Sequence, residues 1–281
     1  MGTDEIAPGI RVVGTRTADG KAGAIAGERA VLAVDAGLDR DEGEAVAAVA
    51  RGFGPRAILL CLTHAHSDHA YGGGAFAGGE IIAHALAADA LRADLAARAA
   101  AGAQPPMSKV AEPTIRFTGD LQVDLGGRLV DLLETPGHAP GAVCVFVPDA
   151  GVLFGGDTIV TSIPPSFSDG DANVLERSLR VLARLDAGVV VPGHGPLLRG
   201  HAMVRDRLTS IADYLAAVTL FVDRQIEHAE PSVIIEAATY ARFLGALLPE
   251  TPELVSRHRE NVRCAIRDAL RERTALSRPS V

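Results

Sequence analysis

Between Leu60 and Gly74 the chain reads L-C-L-T-H-A-H-S-D-H-A-Y-G-G-G, which places His64, His66, Asp68 and His69 within six residues. Imidazole nitrogens with a carboxylate oxygen suit zinc, iron or manganese, whereas calcium and magnesium call for oxygen ligands alone. A lone histidine in a polar loop is ordinarily incidental. Four such groups at H-x-H-x-D-H spacing are not, because imidazoles held so close repel on protonation unless something neutral or cationic organises them. The apolar run Ala57–Leu62 before them reads as a strand and a rigid base, and the glycines after them let the chain turn sharply.

The same arrangement recurs three times. The run Leu129–Leu133 leads into T-P-G-His138, Val152–Phe154 into G-G-Asp157-T, and Val189–Val191 into P-G-His194-G. Each time an apolar strand ends and a His or Asp follows in the next loop. Loops at one end of a sandwich of sheets can converge on a single point while the strands hold them there.

Ile10–Val13, Ala22–Ile25 and Ala30–Val34 alternate with Gly turns and read as antiparallel strands at a sheet edge. Asp39 or Asp41 can cap a helix carrying Ala45, Val46 and Val49, and Asp171 one carrying Leu175, Leu179, Leu182 and Leu185. Glu80–Ala83 is a strand ending at His84. An Ala/Leu-rich helix follows over Leu86–Ala100, then a Gln104-Pro-Pro-Met-Ser-Lys loop. Residues 114–134 divide into three strands at Gly119-Asp120 and Gly126-Gly127, and Val143–Val147 pairs with Val152–Phe154. From His201 the pattern becomes helical. Val204, Leu208, Ile211, Leu215, Val218 and Val222 form one stripe, a second helix carries Val233, Ala237, Phe243 and Leu247, and Thr251-Pro252 opens a third. These stripes suit core packing, a roof over the site, or a homodimer face.

The chain has 281 residues, 48% hydrophobic, enough for a large core with an appendage. Twenty-seven basic against 35 acidic residues give a net charge of −8 with no basic cluster, which argues against nucleic acid as a general partner and for a small-molecule substrate. Mean hydropathy is +0.20, but the apolar runs are short and interrupted. With a start lacking the features of a signal peptide, they indicate no membrane association and a cytoplasmic protein. Cys61, Cys144 and Cys264 are widely spaced and read as small buried hydrophobes of a reducing compartment.

Taken in order, His64, His66, Asp68, His69, His138, Asp157 and His194 make the chain similar to the metallo-β-lactamase-fold hydrolase superfamily, and Asp35 after V-L-A-V matches that family's second-strand aspartate. The resemblance implies an α/β fold, a four-layer αββα sandwich over residues 1–200, with a helical C-terminal extension over 201–281 packed on it. It also implies two divalent metal ions, zinc first, with iron or manganese compatible. His64, His66 and His138 would hold one, Asp68, His69 and His194 the other, with Asp157 bridging and Asp35 in support. The implied reaction is attack by a metal-bridging hydroxide on a small ester, thioester or lactone carbonyl, with Asp68 as the catalytic carboxylate that orients the nucleophile and shuttles its proton. β-Lactamases of the common classes carry cysteine or serine at the Asp157 position, and flavodiiron proteins a Glu in the motif; neither pattern is present. The glyoxalase II-like thioesterases and lactonases look nearest, although Asp68-His69-Ala70-Tyr71-Gly72-Gly73 is one residue longer than their usual D-H-x-G-G and the helical end lacks a clear glutathione-binding match.

Tyr71 and Phe167 are the candidate substrate contacts, one by its hydroxyl and the other as pocket lining, each against an ordinary packing role. His84 reads as a core or surface residue, and His201, His228 and His258 as solvated. The competing functions are a mononuclear iron enzyme of the persulfide dioxygenase type, a phosphodiesterase, and a non-catalytic binding protein on a retained scaffold.

Overall fold

The computed structural model describes residues 2–102 and 110–276; the loop expected at Gln104–Lys109 lies outside them. In chain order the strands are β1 (Thr3–Ala7), β2 (Ile10–Gly14), β3 (Lys21–Ala26), β4 (Ala30–Val34), β5 (Ala57–Leu62), β6 (Glu80–His84), β7 (Ile115–Phe117), β8 (Leu121–Asp124), β9 (Leu129–Glu134), β10 (Val143–Val147), β11 (Val152–Phe154), β12 (Val189–Val191) and β13 (Leu198–Arg199). The helices are α1 (Arg40–Arg51), α2 (Ser67–Ala70), α3 (Ala85–Ala100), α4 (Ala172–Leu182), α5 (His201–Gln225), α6 (Pro231–Ala237), α7 (Tyr240–Phe243) and α8 (Pro252–Leu276).

Seven strands form one sheet in sequence order, β1 to β7, and six form a second in the order β13-β12-β11-β10-β9-β8. In the first, β1 to β4 pair antiparallel and β4 to β7 parallel. In the second only β11 and β12 run parallel. The apolar strands β4 (AVLAV) and β5 (AILLCL) lie side by side at the centre of the first sheet, covered on both faces, which is why they are apolar without alternation.

The buried side chains divide into three apolar layers between four layers of structure. Val46 and Ala47 of α1 and Ala88 and Leu91 of α3 pack with Leu60, Leu62, Ile81 and Ala83 on the outer face of the first sheet. Ile10, Ile25, Leu32 and Val34 meet Val130, Leu132, Val145 and Val152 between the sheets. Cys144, Phe146, Leu153 and Val190 carry α4, α5 and α8 on the outer face of the second. The four-layer αββα sandwich that the family resemblance implied is the fold adopted.

Local chemistry explains the helix starts. Asp39 accepts the Glu42 N–H at 3.1 Å, Asp171 the Val174 N–H at 2.9 Å, and Thr251 Oγ1 the Leu254 N–H at 3.3 Å. One strand was not anticipated: β1, polar and exposed, joins the edge by pairing with β2. Two expectations are corrected. The single helix expected after Pro231 is two, because Ala238 leaves helical geometry between α6 and α7. His258, expected in solvent, is fully buried, held by Tyr214 and the Ala238 carbonyl. The three cysteines are free and buried, with the Cys144 thiol pushed by burial up to about 12.

Truncating the inter-sheet layer tests this architecture. Leu132→Ala, at a fully buried position, is expected to lower the unfolding free energy by about 2–5 kcal/mol in denaturant titration.

Candidate metal centre

The C-terminal ends of β4 and β5 in one sheet and of β9, β11 and β12 in the other deliver Asp35, the His64–His69 segment, His138, Asp157 and His194 to one edge of the sandwich. There the side chains of His64, His66, His138 and Asp157 form one group and those of Asp68, His69 and His194 a second, each with its ligand atoms within 4.8 Å of one another. Asp157 spans the two. Its Oδ1 lies 3.2 Å from His69 Nε2 and 3.3 Å from His194 Nε2, and its Oδ2 lies 3.7 Å from His138 Nε2.

The far side of each ring determines what faces the cluster. His138 Nδ1 donates to the Ser166 carbonyl at 2.8 Å and His194 Nδ1 to the Thr17 carbonyl at 3.1 Å, since a carbonyl can only accept. His69 Nδ1 lies 2.8 Å from Asp35 Oδ2, and His66 Nε2 lies 3.0 Å from Asp169 Oδ2. Thr63 donates its hydroxyl proton to Asp35 at 2.8 Å, so it accepts from His64 Nδ1 at 3.0 Å. In the neutral rings the remaining nitrogen, Nε2 of four histidines and Nδ1 of His66, therefore points its lone pair inward.

Such a set fits cations. His66 Nδ1 and His138 Nε2, both lone-pair atoms in this arrangement, stand 3.0 Å apart, and nothing in the protein supplies a proton between them. His64 Nε2, His69 Nε2 and Asp157 Oδ1 are buried with no hydrogen-bond partner. Unpaired buried polar atoms each cost about 1–3 kcal/mol, so three converging on one point is a costly arrangement that divalent ions would relieve.

Titration follows the same electrostatics. Burial holds His64 well below its ordinary value, helped by the neighbouring His69, and burial likewise lowers His138. For His69 burial pulls downward, but the Asp157 and Asp35 carboxylates outweigh it and raise the ring well above the usual range. His194, also opposed by burial, is held up to about 9 by Asp157 and Asp68. Burial pushes Asp68 upward, yet His194 and the charge on His69 bring its carboxyl below the ordinary value.

Asp35 anchors the arrangement. Its side chain accepts the Thr63 N–H at 2.8 Å, the Thr63 hydroxyl and the His69 ring, and its backbone adopts a left-handed conformation (φ 58°) uncommon outside glycine. Gly193 is small for a packing reason. A Cβ there would stand 2.0 Å from Asp157 Oδ1, because the loops carrying Asp157 and His194 lie back to back.

Beside the cluster a cleft of about 640 Å³ is lined by His66 and Asp68, by Ala90, Ala93, Asp94 and Arg98 of α3, and by Pro140 and Asp169. The two candidate substrate contacts lie elsewhere. Phe167 is fully buried in the core under α4, α5 and α8, because its loop folds back onto the helical layer. Tyr71 is buried against the first sheet with its hydroxyl given to Asp94, so it backs the cleft wall. His84 caps α3, accepting the Leu86 N–H at 3.2 Å. Thr63, Asp169, Asp94 and Arg98 were not singled out from sequence. Asp169 and Asp171 share one loop, and only the folded chain distinguishes the residue that faces His66 from the one that caps α4.

Asp35→Asn preserves size and tolerance of left-handed backbone but weakens the support of His69. It is expected to reduce zinc affinity about 10–100-fold in competition titrations against a chelator.

Comparison with known proteins agrees with this geometry. Over 104 residues the chain is 36% identical to the hydroxyacylglutathione hydrolase of Albidiferax ferrireducens, matching 34% of this chain and 38% of that protein. Over 91 residues it is 26% identical to the human acyl-coenzyme A thioesterase MBLAC2, matching 31% of this chain and 33% of that protein. The chain thus aligns with only about a third of the length of either relative. Among solved structures, a metallo-beta-lactamase family protein from Thermus thermophilus superposes with a TM-score of 0.66 at 20% identity, covering 96% of each chain. The family model of the metallo-beta-lactamase superfamily matches residues 19–194, a span that includes all seven clustered residues. The chain belongs to the metallo-beta-lactamase superfamily.

Proposed function

We propose that this protein is a dinuclear metal-dependent hydrolase of small esters, thioesters or lactones. The observation that carries the reading is the pair of ligand groups meeting at Asp157, with one member of each, His66 and Asp68, lining the same cleft. His64, His66 and His138 would hold one ion and Asp68, His69 and His194 the other, with Asp157 between them. Divalent ions bound there supply Lewis acidity toward a substrate oxygen and make water acidic enough to ionise near neutral pH. The names of the two relatives, a hydroxyacylglutathione hydrolase and an acyl-coenzyme A thioesterase, support a thioester or related carbonyl substrate.

The chain's own residues do the rest. Asp68 borders both the cluster and the cleft, and with its carboxyl titrating low it is ionised at neutral pH, fit to orient the nucleophile and take its proton. Ala90, Ala93 and Pro140 give the cleft an apolar side for an acyl group. Among the described residues Arg98 is the one arginine or lysine that lines that wall. Its Nε bonds both oxygens of Asp94 at 3.1 Å, leaving the guanidinium's outer nitrogens for an anionic substrate group.

Elemental analysis of protein purified without chelator or metal-affinity tag is expected to find about two zinc or manganese ions per chain; one iron per chain would overturn the dinuclear reading. His64→Ala and Asp157→Ala should each cut turnover on an ester and thioester panel by more than the roughly 10–100-fold that loss of a supporting partner costs. Full activity in either variant is the contrary result. Arg98→Ala is expected to raise KM about tenfold for carboxylate-bearing substrates, the loss of one charged hydrogen bond, while leaving neutral ones unchanged.

A further inference from the structure

The C-terminal helices have no part in the chemistry above, yet α8 is joined to the cluster by hydrogen bonds whose directions follow from their atoms. His258 Nε2 lies 3.0 Å from the Ala238 carbonyl, which can only accept, so Nε2 carries the proton. Its Nδ1 then accepts the Tyr214 hydroxyl at 3.0 Å. The Tyr214 oxygen in turn accepts one N–H of Asn261 Nδ2 at 2.9 Å, and the second N–H goes to the Pro165 carbonyl at 2.8 Å. Every donor of this buried set is used once. The next carbonyl along the chain, Ser166, is the one that takes His138 Nδ1. Further along, Arg267 Nη1 donates to the Ser168 carbonyl at 2.8 Å, and Asp169 follows immediately to hold His66.

The segment from Pro165 to Asp169 therefore alternates between two attachments. Pro165, Phe167 and Ser168 are held by the helical layer, while Ser166 and Asp169 face the cluster. We propose that Asn261 and Arg267 of α8 are positioning residues for the first ligand group, fixing the loop that orients the rings of His138 and His66; this rests on reading that group as a metal site. The second group has separate supports, Asp35 behind His69 and the Thr17 carbonyl behind His194, both from the first 35 residues of the chain. Loosening α8 should then disable one site and spare the other, an asymmetry that general destabilisation does not produce.

The test is zinc titration of the chelator-stripped full-length chain against a chromophoric competitor, comparing wild type with Asn261→Leu, Arg267→Met and Val262→Ala. Val262 is fully buried in the same helical core and serves as the packing control. Asn261→Leu and Arg267→Met are expected to weaken one of two zinc affinities about 10–100-fold, the range for loss of a supporting partner, with the other unchanged. Val262→Ala should lower the thermal midpoint and move neither. If Asn261→Leu does not fold, Arg267→Met decides, since that side chain is 33% exposed whereas Asn261 is buried. Two zinc ions bound by wild type with unchanged affinities in the folded variants would overturn the positioning role alone, as would an equal shift in Val262→Ala. A wild type that takes up no zinc would sink the metal-centre reading and this inference with it.

Discussion

Five imidazoles and two carboxylates crowd into one largely buried space, where His64, His66 and His138 turn lone pairs on one another while Asp157 draws His69 and His194 toward it, and the rest of the molecule is arranged to hold them there. Left to relax, His66 and His138 would not keep two acceptor nitrogens 3.0 Å apart, nor would Asp157 keep a buried oxygen without a donor. Each of the five rings is instead gripped from behind, by the Thr63 hydroxyl, the Asp169 and Asp35 carboxylates, and the Ser166 and Thr17 carbonyls. These grips set the tautomers, and the tautomers make the site a receptor for cations. Strain is admitted at the same places, with Ala18, Asp19 and Asp35 all in left-handed backbone beside the residues that hold His194 and His69.

The sandwich makes this rigid. The loops that carry the cluster leave strands packed into the core, β4, β10, β11 and β12 over nearly their whole length and β9 by its inner face alone, so moving a clustered residue means moving a strand in a close-packed core. The two sheets contribute differently. The first supplies four of the seven residues from one loop after β5 and their anchor Asp35 after β4; the second supplies His138, Asp157 and His194 from three separate strands. Their meeting depends on the inter-sheet layer, where Leu32 and Val34 face Leu132 and Val145.

The loop between β11 and α4 belongs to both ends of the second half of the chain. It is pinned to α8 by Asn261 and Arg267 and to the cluster by Ser166 and Asp169. This gives the helical layer a mechanical relation to the site although no helix beyond α4 carries a clustered residue. It also accounts for Phe167, an aromatic that looked like pocket lining and serves as the plug joining loop to helices.

The sequence by itself determined the residues that cluster and the strand ends that carry them, because both are local signals. A dense H-x-H-x-D-H run, three further strand-Gly-His/Asp junctions, and the caps at Asp171 and Thr251 are all legible within a few residues, while the choice of Asp39 over Asp41 as a cap came from the fold. Tertiary structure alone decided what stands behind each ring and what lines the cleft. Asp169 reaches His66 across 103 positions and the Thr17 carbonyl reaches His194 across 177, contacts that no local pattern encodes. Polar β1 became a strand because β2 offered an edge, and His258 became a core residue because Tyr214 and Ala238 satisfied both its nitrogens. In each case the residue type was readable but its partner was not, because a hydrogen bond is chosen by proximity in the fold, and proximity across the chain follows from the packing of two sheets.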